Sequence, residues 1–289
     1  MSAVYEKEIK SYFTGGIGYV YTAFSLVIAG IFTLVCNLSN YYYASFEYTV
    51  VSMAFYMYLL LIPILTMKIV ADERKQKTDQ LLYSLPLKMS KIVFGKYFAA
   101  VTVLAVPTGI MCVIPLLLSF FGDVEFLKAY SAIFALFLLG ASLIAIGMFI
   151  SSLTESMIVS VVVTLVFILI NYLITYLSNY VSSSAFASGV TFTVLACVAA
   201  FLVYLLTKNR VLSEIVGVVL VAAVVVTGFV KGDLLAGACP ALLNKIALFD
   251  YLQNFGNGLF DLQAVCIYIS TAALFVFLTV QSFEKRRWA

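Results

Sequence analysis

The 289-residue chain is 64% hydrophobic and only 11% charged, with a mean hydropathy of +1.09. That is more apolar surface than a water-soluble domain can bury, so the excess faces lipid and a soluble globular fold is excluded. A net charge of +3 without a polybasic tail speaks against nucleic-acid binding, and the absence of histidine removes the commonest metal ligand and general base.

Residues 2–16, SAVYEKEIKSYFTGG, place Tyr5, Ile9, Tyr12 and Phe13 on one helical face and turn Lys7 and Lys10 away from it. This predicts an amphipathic helix along the inner membrane surface, its lysines near anionic lipid. Gly15, Gly16 and Gly18 then break the helix so that the chain turns into the bilayer. Charges ahead of the first apolar run, with no small-residue cleavage pattern after it, predict that the first span is kept.

Apolar stretches predict eight spans, at roughly 19–38, 48–70, 97–121, 129–150, 156–177, 186–207, 211–230 and 262–282. Each is near the ~20 residues that cross ~30 Å of hydrocarbon as a helix. Backbone groups in lipid pair within their own segment, so the expected fold is all-α, a single polytopic transmembrane bundle over 1–289. The sixth and seventh spans are separated only by Lys208, Asn209 and Arg210, and 186–230 reads as an additional hairpin. Placing both termini in the cytoplasm puts 14 of the 17 basic residues inside and leaves Lys128, Lys231 and Lys245 outside. This is a strong positive-inside asymmetry. The five cysteines are scattered without a CxxC pair and read as small packing residues.

The longest cytoplasmic segment, 71–96, is ADERKQKTDQLLYSLPLKMSKIVFGK. Asp72 can cap a polar turn, and Thr78 can begin a short helix carrying Leu81, Leu82 and Leu85, which Pro86 ends. Three leucines beside a dense charge cluster read either as a protein interface or as an interfacial helix resting on lipid. The turn at 151–156 is short, and Glu155 reads as a cap of the fifth span or as a partner contact. The outer segment 231–261 is too polar and too broken by Gly and Pro to span, yet carries apolar patches. It reads as short re-entrant helices or as a surface loop.

No phosphate-binding GxxxxGK[ST] loop, HExxH or GxSxG motif occurs, which points to a non-catalytic subunit without its own nucleotide site. The predicted span interiors are essentially free of Asp, Glu, Lys and Arg, unlike most ion-coupled carriers.

Three stretches carry a family likeness: YEKEIKSYF before the first span, ERKQKTDQLLYSLPLKMSKIVFGKYFA after the second, and the C-terminal segment from FDYLQNFGNGLFD to FEKRRW. Together they resemble permeases of the type 2 ABC exporter superfamily, most closely its gliding-motility and nitrous-oxide-cluster branch. The resemblance implies that the N-terminal helix is an elbow helix and that 71–96 holds a coupling helix for a separate ATPase. Glu73, Arg74 and Lys75 then match the charged entry, Thr78 and Asp79 the small and acidic positions, and Leu81, Leu82, Leu85 and Pro86 the apolar helix and its stop. Lys77 stands where glycine is common in that family. It further implies a multi-pass protein of the bacterial cytoplasmic membrane, paired with a second permease copy or a homologous permease through the first and fifth spans. Two ATPase copies would hold the ATP and magnesium, and this chain no cofactor. An ATP-independent channel or carrier and a membrane anchor of another complex stay open as alternatives.

Overall fold

The computed structural model describes residues 2–38, 45–75, 88–180 and 244–287. Ten α-helices organise them: α1 (Ser2–Thr14), α2 (Ile17–Thr33, extended by a π-helical turn Leu34–Leu38), α3 (Phe46–Met67), α4 (Ala71–Lys75), α5 (Met89–Met111), α6 (Ile114–Leu118), α7 (Phe126–Leu153), α8 (Met157–Tyr180), α9 (Leu248–Gly256) and α10 (Leu262–Arg287). Among the described residues, six helical stretches are long and apolar enough to cross a membrane: Ile17–Leu38, Phe46–Lys75, Met89–Leu118, Phe126–Leu153, Met157–Ile174 and Leu262–Arg286. They correspond to the first five predicted spans and the last. The predicted hairpin over 186–230 lies outside the described residues, as do Thr78, Asp79, Leu81, Leu82, Leu85 and Pro86.

The chain forms two compact units, Met1–Ile170 with Leu248–Ala289, and Asn171–Ala247. In the described part of the second, the Asn171 side-chain amide donates to the carbonyl of Ile246 at 2.9 Å. The first unit is built around α7, of whose apolar stretch 78% is buried, against 22% for the first span. It packs against α3, α5, α9 and α10. Small residues make this possible: Ala132, Ala135, Gly140, Ala141, Ala145 and Gly147 line α7 and let neighbouring backbones approach closely.

Gly140 and Gly147 are equally tight approaches, Gly147 standing where a Cβ would meet the Thr66 side chain at 2.7 Å. A Cβ at Gly140 would stand 2.7 Å from the Tyr58 hydroxyl, which donates to the Leu136 carbonyl. Gly140→Val is therefore expected to destabilise by about 1–3 kcal/mol through overpacking. Gly30→Val, at a site with no atom within 4 Å, should be nearly neutral; thermal midpoints of the two purified variants check this.

Gly16 has φ +79 and turns the chain from α1 into α2, a conformation that L side chains adopt at a cost. Pro63 in α3 and Pro107 in α5 are both buried and each removes one backbone donor from its helix. Neighbouring Thr66 and Thr108 hydroxyls bond back to the carbonyls of Ile62 and Leu104.

Within 231–261, residues 248–256 are helical. The α9 helix buries Leu248, Phe249, Leu252 and Phe255 against α3 and α7. Phe249 meets Phe55 edge to face at 6.2 Å, and the Tyr268 hydroxyl donates to the Leu248 carbonyl at 3.0 Å. Asp261 caps α10 by accepting from the Gln263 N–H at 2.8 Å, and takes a second bond from the Asn254 amide at 2.7 Å, which fixes α9 to α10.

Two of the span starts that differ from the hydropathy reading matter here. The second span begins at Phe46 rather than near 48, and the third at Met89 rather than near 97. Glu47 and Lys96, each one residue outside a predicted span, are therefore inside helices and buried, at 7% and 1% exposure. The predicted interiors of the second and third spans, whose only charged residue is Lys68 near the end of the second, thus stop just short of two buried charges, one near each end of the bundle.

Candidate functional site

The N-terminal helix forms as its periodicity predicts, with Lys7 and Lys10 exposed, Tyr5, Ile9 and Phe13 half-buried and Tyr12 buried. It packs chiefly on α5, where the Tyr5 hydroxyl meets the Thr102 hydroxyl at 2.9 Å. The Tyr12 hydroxyl donates to the Leu65 carbonyl at 3.4 Å, and the Lys68 ammonium lies over the Tyr12 ring at 5.7 Å while donating to the Ser11 carbonyl at 3.0 Å. Burial, reinforced by the charges of Glu8 and Glu73, pushes the Tyr12 hydroxyl well above the usual tyrosine range. It therefore stays a hydrogen-bond donor at any physiological pH.

Beside Tyr12 lies a buried charge cluster. The Lys96 ammonium stands 2.9 Å from Glu8 and 2.7 Å from Glu73, and gives a third bond to the Ile69 carbonyl at 3.0 Å. All three of its N–H donors are engaged. One lysine thus joins α1, the end of the second span and the start of the third. Lys7, largely exposed, approaches Glu73 at 4.0 Å and partly offsets the second carboxylate.

The next residue along α4 faces another way. Arg74, 6% exposed, donates to the Thr154 carbonyl at 3.2 Å and places its guanidinium 5.9 Å from the centre of the Phe283 ring. The backbone N–H of Ala71 donates to the Ser151 hydroxyl at 3.0 Å. The five-residue α4 is thereby tied through Glu73 to α1 and α5, and through Ala71 and Arg74 to the end of α7, the turn after it and α10. It is also the last described element before residues 76–87.

Of the predicted charged entry, Glu73 and Arg74 point into the protein, while Lys75 is exposed. Glu155 is exposed in the turn after α7 and faces Arg286 of α10 at 3.6 Å.

Sequence reasoning missed Lys96, Glu8 and the Thr154 carbonyl. For Glu8 a signal existed: it lies three residues after Tyr5 and four before Tyr12, on the face that α1 buries. For Lys96 the signal was a lone charge embedded in IVFGKYFAAV, which in a helix asks for a partner. A backbone carbonyl leaves no mark in a sequence.

No curated protein and no solved structure matches the chain. Residues 3–181 match the family model described as ABC-2 family transporter protein, a stretch that covers more than half of the chain and runs from α1 through α8. The chain accordingly belongs to that family and is a membrane permease component of an ABC transporter.

Proposed function

We propose that the chain is an exporter permease that converts ATP-driven movement of a separate ATPase into tilting of its spans, with α4 as the transmitting element. The carrying observation is the double attachment of α4, through Glu73 to Lys96 and through Arg74 to Thr154. In this reading, residues 76–87 dock on the ATPase through Leu81, Leu82 and Leu85, with Thr78 and Asp79 setting the turn, Pro86 ending the helix and Lys75 supplying an exposed charge. Glu155 and Arg286 add a second, exposed contact beside it.

A push on 76–87 reaches α4 first. Because its two anchors run to different helices, displacement of α4 moves α1 and α5 on one side and α7 and α10 on the other, as rigid elements. The positive-inside distribution supports cytoplasmic termini, which put this cluster on the ATPase side, and supports an elbow role for α1. The outward apolar stripe of α2, with Val20, Phe24, Val27, Ile31, Leu34 and Leu38 all exposed, suits either lipid or a second permease copy. The full assembly in this proposal is two permeases and two ATPases in a bacterial cytoplasmic membrane. ATP and magnesium sit on the ATPases.

Replacing both Leu81 and Leu82 by aspartate tests the docking. Copurification with the ATPase should fall by about tenfold or more, since two apolar anchors would each lose over ~1 kcal/mol. Undiminished association with normal ATP turnover would refute the docking role.

A further inference from the structure

A groove of about 230 Å³ opens between α5, α7 and α10, all within the first unit. Phe94 and Tyr97 of α5, Leu138 and Ala141 of α7, and Ala272 and Ala273 of α10 line it. The three alanines leave the space, since each offers one methyl where a larger side chain would close the packing. Among the lining residues only Tyr97 and Tyr268 carry polar side-chain atoms, and both hydroxyls are already committed. Tyr97 donates to the Ala141 carbonyl at 3.2 Å and Tyr268 to the Leu248 carbonyl at 3.0 Å. The groove therefore presents rings and methyls.

Water gains nothing in such a space. Apolar cavities of about 150 Å³ stay dry and accept apolar guests instead. Both α5 and α10 lie within stretches long and apolar enough to span, so in a membrane permease the groove adjoins hydrocarbon. Its rim is open on that side, with Phe94 40% and Ile269 56% exposed. An alkyl chain from the bilayer matches these walls.

The start of α5 adds charge. Lys88 precedes the helix and Lys91 stands one turn before Phe94, and both are exposed. The first turn of α5 holds no acidic residue, and neither ammonium meets a carboxylate within 4 Å among the described residues. Lysines beside a span attract anionic lipid headgroups. One helical turn separates Lys91 from Phe94, so a single molecule can reach the first with its phosphate and pass the second with its chain.

We propose that this groove seats one acyl chain of an anionic phospholipid whose phosphate lies on Lys88 and Lys91. The lipid belongs to the leaflet at the Met89 end of α5. Binding involves neither the ATPase nor α4, so its failure would leave the coupling reading standing.

The test uses the full chain in phosphatidylcholine nanodiscs, with phosphatidylglycerol carrying a diazirine on one acyl chain as the probe. After irradiation, mass spectrometry compares adducts at Phe94 and Ala273 with those at Phe24, whose exposed position on α2 reports bulk lipid contact. Groove labelling should saturate and exceed that at Phe24 by ~5-fold. Unlabelled phosphatidylglycerol should compete with it, and added phosphatidylcholine should not. Lys88→Gln combined with Lys91→Gln, at exposed positions that leave folding unaffected, should weaken groove labelling by about tenfold. Ala272→Leu fills the groove and should abolish labelling at Phe94 and Ala273 while that at Phe24 stays unchanged. Benzoylphenylalanine in place of Ile269, at the rim, should form an adduct with phospholipid. An adduct joining two chains there would assign the groove to a second copy and overturn the proposal. Groove labelling no greater than at Phe24, labelling unchanged in both the lysine variant and Ala272→Leu, or equal labelling by a diazirine phosphatidylcholine would overturn it as well.

Discussion

Lys96→Met is expected to leave little folded permease. The substitution keeps most of the side-chain volume but leaves the Glu8 and Glu73 carboxylates, which both accept from the same ammonium at 2.9 and 2.7 Å, facing each other without it. Breaking a buried ion pair by removing one partner costs about 3–5 kcal/mol. That approaches the whole stability of a marginal domain, roughly 5–15 kcal/mol. Glu8→Gln removes only one of two carboxylates and keeps the Lys96–Glu73 pair, so its cost should be smaller, about 1–3 kcal/mol. The neutral triple variant Glu8→Gln, Glu73→Gln, Lys96→Met should recover most of the folding that Lys96→Met loses, because no uncompensated charge remains. Fluorescence-detected size exclusion after a heating series measures all three. Equal stability of Lys96→Met and wild type would show that the cluster contributes nothing.

The second large effect is expected at Arg74. Alanine there deletes the bond to the Thr154 carbonyl and the stacking on Phe283 while leaving the Glu73 side of α4 intact. Hydrogen bonds from a charged donor are worth about 1.5–3 kcal/mol, so the variant should fold less stably but still assemble. Its defect should be in coupling. ATP turnover by the reconstituted complex should lose most of its dependence on the permease, by about tenfold, which corresponds to ~1.4 kcal/mol of lost coupling. Lys75→Ala, at the exposed neighbour, should leave stability within about 0.5 kcal/mol of wild type. The contrast between adjacent positions separates a transmitting residue from a surface charge.

The membrane class and six of the spans were legible because hydropathy is a local property. A run such as SLIAIGMFI needs no tertiary partner to declare itself apolar. The amphipathic face of α1 was legible for the same reason. Its partner was not: Lys96 and Glu8 lie 88 residues apart, and hydropathy places span ends at charges even when a distant carboxylate allows the charge inside. The same error left Glu47, buried in α3, just outside the predicted second span. The charged entry at 73–75 was found as a cluster, yet direction was not readable. On a five-residue helix, consecutive positions point about 100° apart, so Glu73, Arg74 and Lys75 serve different neighbours. The turn predicted over 151–156 is confined to 154–156, since Ser151–Leu153 belong to α7, and the bonding of this region to α4 uses the Thr154 carbonyl and the Ser151 hydroxyl, groups too common to single out.

The central claim, that α4 passes ATPase movement into the bundle, is tested most directly by a distance measurement. Spin labels at the exposed positions Lys10 on α1 and Glu284 on α10 report the two sides that α4 joins. In the complex with its ATPase, trapping with ATP and vanadate should shift the Lys10–Glu284 distance distribution in the otherwise wild-type chain. The shift should vanish in the neutral triple variant although the ATPase still copurifies with it. The same shift in both proteins, or none in either, would contradict the account.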